Sequence, residues 1–359
     1  MNQYAMQPVK LLLLASLFCG GIAANSIAQE DTIVKATVIG AEETEADKSY
    51  NQGISQFKNN DFEGAIASFG KAIELKKGFT QAYLNRGSAY MELKKFSEAI
   101  QDFNVALNDP MGKEAYYLRG KCYESLGDPE KAAGDYGSAM KAIPEDDRPY
   151  YYRGLLKFEK GDYEGAILDF TEAIKRNKRH AYAYNDRGSA KRMLEKYDEA
   201  IKDYLKALQI DNQLAFVHNN MGSAYRKKGR FDEAIKSYTK AVEVDPKYYI
   251  AYNNRGSAHY DAGEYERALA DFDQAIQLNA SYVFAYNNRA TAKFKLEDYK
   301  GCIDDCTEAI KLDPKYAYAY ENRGNAKELL RDDLGACEDW KKAAELGADG
   351  AVNYAKSCK

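Results

Sequence analysis

AYNNRGSAHYDAGEYERALADFDQAIQLN, residues Ala251 to Asn279, decides the fold, because close copies of it precede and follow it at a fixed period. Aligned on the glycine of the Asn-Arg-Gly tripeptide, the copies place Gly53, Gly87, Gly120, Gly154, Gly188, Gly222, Gly256, Ala290 and Gly324 in one column, with steps of 34 residues and one of 33. Nine units of that length imply a solenoid in which each repeat buries its apolar face on its neighbours.

Each unit holds two helical stretches. The first, as in Tyr249 to Ala262, and the second, as in Glu264 to Leu278, carry apolar or small residues three and four apart. Gly127, Gly161, Gly229 and Gly263 mark the tight turn between them. Pro144, Pro246 and Pro314 fall just past the second helix, where a fixed φ and a missing N–H stop it. Pro129 follows Asp128 at a position where a first helical turn accepts proline.

Two further columns of small residues run from Ala65 to Ala336 and from Ala72 to Ala343. A bulky column, Phe69, Phe103, Tyr136, Phe170, Tyr204, Tyr238, Phe272, Cys306 and Trp340, lies between them. Large residues facing small ones interlock neighbouring helices into a continuous core. These columns, the tyrosine four residues before the glycine and the 34-residue period resemble tetratricopeptide repeats. The resemblance covers residues 46–350. It implies an all-α, right-handed superhelical solenoid of nine helix-turn-helix units, with the 351–359 segment as a short C-terminal capping helix. Ala290, Cys306 and Asp333 depart from the pattern.

Ahead of the array, residues 1–28 have the form of a secretory signal: Lys10, an apolar run from Leu11 to Phe18, and a small-residue cleavage site at Ser26-Ile27-Ala28. Residues 29–45 read as a flexible leader. A periplasmic or secreted location is therefore expected, with lipid anchoring at Cys19 the lesser alternative, because Phe18 stands where lipidation prefers a small residue. Past the signal, no apolar run is long enough for a membrane span. The formal net charge is -4, or -5 without Lys10, and there is no basic stripe, so nucleic-acid binding is not expected.

Immediately before the glycine column stand Arg86, Arg119, Arg153, Arg187, Arg255, Arg289 and Arg323, and fifteen residues after it Asp102, Asp135, Asp169, Asp203, Asp271, Asp305 and Asp339. Both columns fail in the same two repeats, which carry Gln52 with Ser68 and Met221 with Ser237. Residues that are present or absent together imply contact. The expectation is an Arg–Asp ion pair bridging the helices of one repeat, with Arg86–Asp102, Arg187–Asp203, Arg255–Asp271 and Arg289–Asp305 among its instances.

On each first helix, residues six and three before the glycine and one and four after it share a face opposite the packing stripe. In repeats five to eight that face carries Tyr182, Phe216, Ile250 and Phe284, then Asn185, Asn219, Asn253 and Asn287, then small hydroxyl residues. Its last row is Arg192, Arg226, Tyr260 and Phe294. An apolar ladder beside an amide ladder suits an extended peptide of a partner protein, whose backbone the amides would satisfy. The adjoining Asn85, Asn220, Asn254, Asn288 and Asn322 would extend that surface. The alternative is a glycan, with rings stacking on sugars. Some tetratricopeptide proteins clamp a terminal carboxylate in this groove, but the required cations are replaced here.

No cofactor or metal is expected. His180, His218 and His259 lie in different repeats and at different places within them, and no phosphate or calcium loop occurs, so enzymatic activity is not expected either. Cys122, Cys302 and Cys306 read as core residues. Cys337 faces a truncated tenth unit with Cys358 in its glycine column, which in an oxidising compartment permits a disulfide. The whole reads as a monomeric, non-enzymatic interaction scaffold.

Overall fold

The computed structural model describes residues 43–358. The readings placed on residues 1–28 and on most of 29–45 lie outside it. Among the described residues there are nineteen α-helices, one 3-10 turn at Pro110–Gly112 and no strand. Contacts divide the chain between Leu194 and Glu195 into two compact units.

The first unit holds α1 (Glu45–Lys58), α2 (Phe62–Leu75), α3 (Thr80–Glu92), α4 (Phe96–Ala106), α5 (Ala115–Ser125), α6 (Pro129–Ala142), α7 (Arg148–Glu159), α8 (Tyr163–Arg176) and α9 (Ala181–Met193). The second holds α10 (Tyr197–Ile210), α11 (Ala215–Lys227), α12 (Phe231–Val244), α13 (Tyr249–Asp261), α14 (Tyr265–Leu278), α15 (Val283–Lys295), α16 (Tyr299–Leu312), α17 (Ala317–Leu329), α18 (Asp333–Glu345) and α19 (Ala351–Ser357). Within each unit every helix packs on the one before and after it. First helices of successive repeats also touch, as α1 touches α3 and α13 touches α15. That nearest-neighbour pattern is a helical repeat solenoid. The first helix begins at Glu45, one residue before the start read for the array.

Local chemistry starts and stops these helices. Asp61, Asp128, Asp162, Asp298 and Asp332 each cap a second helix by accepting from the backbone N–H three residues on. The turn before the cap needs a left-handed residue in every repeat where it is described. Glycine supplies it at 127, 161, 229 and 263, while Asn60, Lys94, Glu195, Glu297 and Arg331 adopt the same positive φ.

The glycine column exists for the ring opposite it. A Cβ on Gly53, Gly87, Gly120, Gly154, Gly222, Gly256 or Gly324 would stand 2.6–2.8 Å from Phe69, Phe103, Tyr136, Phe170, Tyr238, Phe272 or Trp340, closer than real carbon contacts allow. Repeat eight solves the same fit the other way: Ala290 has its Cβ, and Cys306 takes the place of the ring, with both side chains fully buried.

After repeat nine, α19 packs on α18 in a register two residues away from the one expected. Ala351 joins Ala343 as Ala251 joins Ala241, so it fills an alanine column, not the position two earlier. Cys358 therefore takes the place held in other repeats by Ala258, Ala292 and Ala326, and not the glycine column. Its sulfur is bonded to Cys337 at 2.06 Å.

Candidate functional site

The arginine column is held in bidentate pairs. Nε and Nη2 of Arg86 donate to the two carboxylate oxygens of Asp102 at 2.8 and 2.7 Å, those of Arg255 to Asp271 at 2.9 and 2.6 Å, and those of Arg289 to Asp305 at 2.8 and 2.6 Å. Arg119, Arg153 and Arg323 bind Asp135, Asp169 and Asp339 in the same fork. Arg187 and Asp203 fall in different units.

The remaining nitrogen of the fork reaches backwards, a contact that pairing the columns within one repeat misses. Nη1 donates to Asn104 from Arg119, to Thr171 from Arg187 at 3.2 Å, to Thr239 from Arg255 at 3.3 Å, to Asp273 from Arg289 at 2.6 Å and to Thr307 from Arg323 at 3.2 Å. One guanidinium thus ties its own first helix to the second helix of the preceding repeat. A signal for it is present in the sequence: where Met221 replaces arginine, that backward column carries Leu205. Asp102 is buried, and desolvation raises its pKa against the pull of Arg86. The pair therefore fixes geometry more than it adds stability.

The asparagine ladder is not a groove surface. Asn185, Asn219, Asn253 and Asn287 are only 0–4% exposed. The neighbouring column explains why: Asn254, Asn288 and Asn322 donate to the Oδ1 of Asn219, Asn253 and Asn287, each at 2.9 Å. The acceptor oxygens of three of the amides read as peptide ligands are thus taken up in bonds between successive first helices, with a spacing of 35 residues. In the first unit the same two columns pair by chemical kind. Asn85 donates to the Tyr50 hydroxyl at 2.9 Å, Leu84 and Leu118 share one core, the Tyr117 and Tyr152 rings lie 5.8 Å apart, and the Tyr151 hydroxyl donates to Asp186 at 2.8 Å.

Asp186 is the one carboxylate in this inter-repeat column. Burial lifts its pKa from 3.8 to about 6, although the Tyr151 hydroxyl and the Asn185 amide at 2.9 Å favour the charged form. The folded chain therefore holds this proton more tightly than the unfolded one, and stability falls as pH rises through about 6. Asp186→Asn would recreate the Tyr50–Asn85 pairing without charge. We expect the variant to match the parent near pH 4 and to exceed it by about 1–2 kcal/mol at pH 7.5, a figure discounted for partial solvent screening. Urea midpoints at both values check this; an equal offset at the two would contradict it.

What remains on the face is apolar. Tyr182 in the first unit, and Phe216, Ile250 and Phe284 in the second, are part-exposed. Tyr260 lies 5.3 Å from the Tyr265 ring, and burial pushes its hydroxyl pKa up to about 12. Phe294 meets Tyr299 in the same way. Arg226 is committed to Asp261, Nε donating at 2.6 Å. Along one edge of the second unit, rings of Tyr249, Tyr282, Phe284, Tyr316 and Tyr318 pack in sequence at 4.9–6.0 Å, mostly edge to face. Three polar atoms on this face, Arg192 Nε in the first unit and Ser257 Oγ and Asn287 Nδ2 in the second, are buried without a hydrogen-bond partner.

The histidines serve local structure. His180 caps α9 by accepting from Ala183 N–H, His218 is half-buried with its pKa lowered by desolvation, and His259 lies 2.6 Å from Glu264. Cys122, Cys302 and Cys306 are buried thiols. No helix among the described residues is long and apolar enough to cross a membrane.

Four models of the tetratricopeptide repeat match the chain, at residues 50–112, 104–147 and 219–283, at 179–247, at 283–316 and at 148–180, so that together they run from 50 to 316. The chain belongs to the tetratricopeptide repeat family. Among curated relatives it is 35% identical over 98 residues to heat shock protein STI1 of Saccharomyces cerevisiae (27% of this chain) and 40% identical over 91 residues to Hsc70-interacting protein 1 of Drosophila melanogaster (25% of this chain). The matched stretches span 17% and 24% of the length of those relatives. Among solved structures it resembles a tetratricopeptide protein from Parabacteroides merdae, at 18% identity and a TM-score of 0.54 over 69% of this chain and 98% of that one. Yeast Tom70 matches at 21% identity and 0.50, over 96% and 72%. Both likenesses speak for the fold alone.

Proposed function

We propose that this tetratricopeptide array is a non-enzymatic scaffold that binds an extended segment of a partner protein along the face of α11, α13 and α15. The observation that carries the reading is the part-exposed apolar row of Phe216, Ile250 and Phe284, one residue per repeat on three consecutive first helices. Recognition runs through the partner's apolar side chains, since the asparagines beneath are buried and their acceptor oxygens are already taken by neighbouring amides. The relatives add support at the level of class: one is an Hsc70-interacting protein by name. Glycan stacking is the weaker reading, because the rings of the edge strip already pack against one another.

An extracytoplasmic location is part of this proposal. It rests on the form of residues 1–28 and is supported by the Cys337–Cys358 disulfide, a bond that persists in oxidising compartments.

Selection from a displayed library of random linear peptides tests the binding reading. The full chain should enrich peptides with spaced apolar residues, and Ile250→Asp with Phe284→Asp should abolish that enrichment while helical content stays unchanged. Enrichment of the same peptides by the variant, or of none by the parent, would refute it.

A further inference from the structure

The two ends of the array are finished differently. In α1 the two positions that contact a preceding repeat elsewhere are Lys48 and Ser55, both exposed, where α13 has fully buried Ala251 and Ala258. That face of the first described helix is polar by its own sequence. Repeat nine keeps an apolar outer face, with Ala336, Trp340 and Ala343 on α18, and covers it with α19.

The cover is short. With seven residues, α19 is far below the length at which a helix holds itself in water. Ala351 and Cys358 sit seven apart on the face, in the columns filled by Ala251 and Ala258, Ala285 and Ala292, and Ala319 and Ala326 in full-length first helices. The Tyr354 ring stacks on Trp340 at 4.9 Å, and the disulfide to Cys337 ties the far end of the helix down.

We propose that α19 is a disulfide-latched strap over a helix-docking face, and that reduction of Cys337–Cys358 releases it so that a partner helix with small residues seven apart takes its place. The occupant is assigned from the chain itself, in which the equivalent face of earlier second helices receives a helix with that spacing. In the unlatching step a dithiol donates two electrons and two protons. It is oxidised to its own disulfide, while the Cys337–Cys358 bond breaks and leaves two thiols. The groove reading does not enter this inference and can fail without it.

Trp340 is the sole tryptophan, so its emission reports the strap directly. No other disulfide joins described residues, which makes dithiothreitol selective there. The probe is a synthetic peptide of residues 281–297, a first helix of this chain that lacks tryptophan. Reduced full-length protein, and Cys337→Ser with Cys358→Ser, should show red-shifted Trp340 emission and rapid proteolysis near Lys356. Added peptide should reverse the shift in a saturable way, whereas the oxidised parent should show neither effect. Far-ultraviolet circular dichroism confirms that the array stays folded in each sample. Unchanged emission and protease resistance on reduction would overturn the latch. A shift that the peptide cannot reverse would overturn the docking face.

Discussion

Arg86→Met is expected to destabilise the first unit by about 3–5 kcal/mol at neutral pH, because it orphans a buried carboxylate. Asp102 is 4% exposed, and both of its oxygens are held by Arg86. Burial already lifts its pKa above the ordinary 3.8 with the arginine present, so the folded chain binds this proton more readily than the unfolded one and loses stability as pH rises through that value. Without Arg86 the pKa climbs further. The cost of the substitution should therefore be full at pH 7 and shrink as the solution is acidified. Arg86→Met with Asp102→Ser copies the Met221 and Ser237 of repeat six and should recover most of the loss, within about 1–2 kcal/mol of the parent. Chemical denaturation of the four members of this cycle decides the matter; a double variant as unstable as the single one would show that the pair is a net stabiliser.

Gly256→Ala should cost about 2–3 kcal/mol, although alanine is the better helix former. The added Cβ would lie 2.8 Å from the Phe272 ring and 3.1 Å from the Ala268 carbonyl oxygen, and neither backbone nor a fully packed ring can retreat cheaply. Repeat eight shows the compensated form, Ala290 with Cys306. Gly256→Ala with Phe272→Cys should therefore lose less than the sum of the two single changes, by at least about 1 kcal/mol. The reciprocal change, Cys306→Phe, should be tolerated only with Ala290→Gly. Thermal melts of both cycles check this, and strict additivity would argue that the glycine column serves something other than ring clearance.

The residues in these two experiments differ in how far the columns reveal them. Ala290 and Cys306 are visible in the sequence as departures in the same repeat, yet only the closeness of ring and glycine in the other repeats shows them to be one departure. Arg and Asp are sixteen residues apart within one helical hairpin, and their shared absences name the contact. The backward reach of the same arginine to Thr239 or Asp273 left a fainter trace, the coincidence of Met221 with Leu205.

The sequence by itself determined the repeat, its two helices, the packing stripe and the residues of the Arg–Asp brace, because each depends on spacings inside one unit that recur along the array, nine times for the repeat and seven for the brace. Tertiary structure alone decided the fate of the asparagines and the register of α19. A residue such as Asn253 stands at the border between the groove face and the contact with the next first helix, and helical spacing describes both sides equally well. The rotation and distance of the neighbouring helix settle it, by placing Asn288 2.9 Å from Asn253 and closing off both from water. The same holds for α19, where seven residues allow more than one register and the alanine face at Ala343 selects the one that packs Ala351 against it.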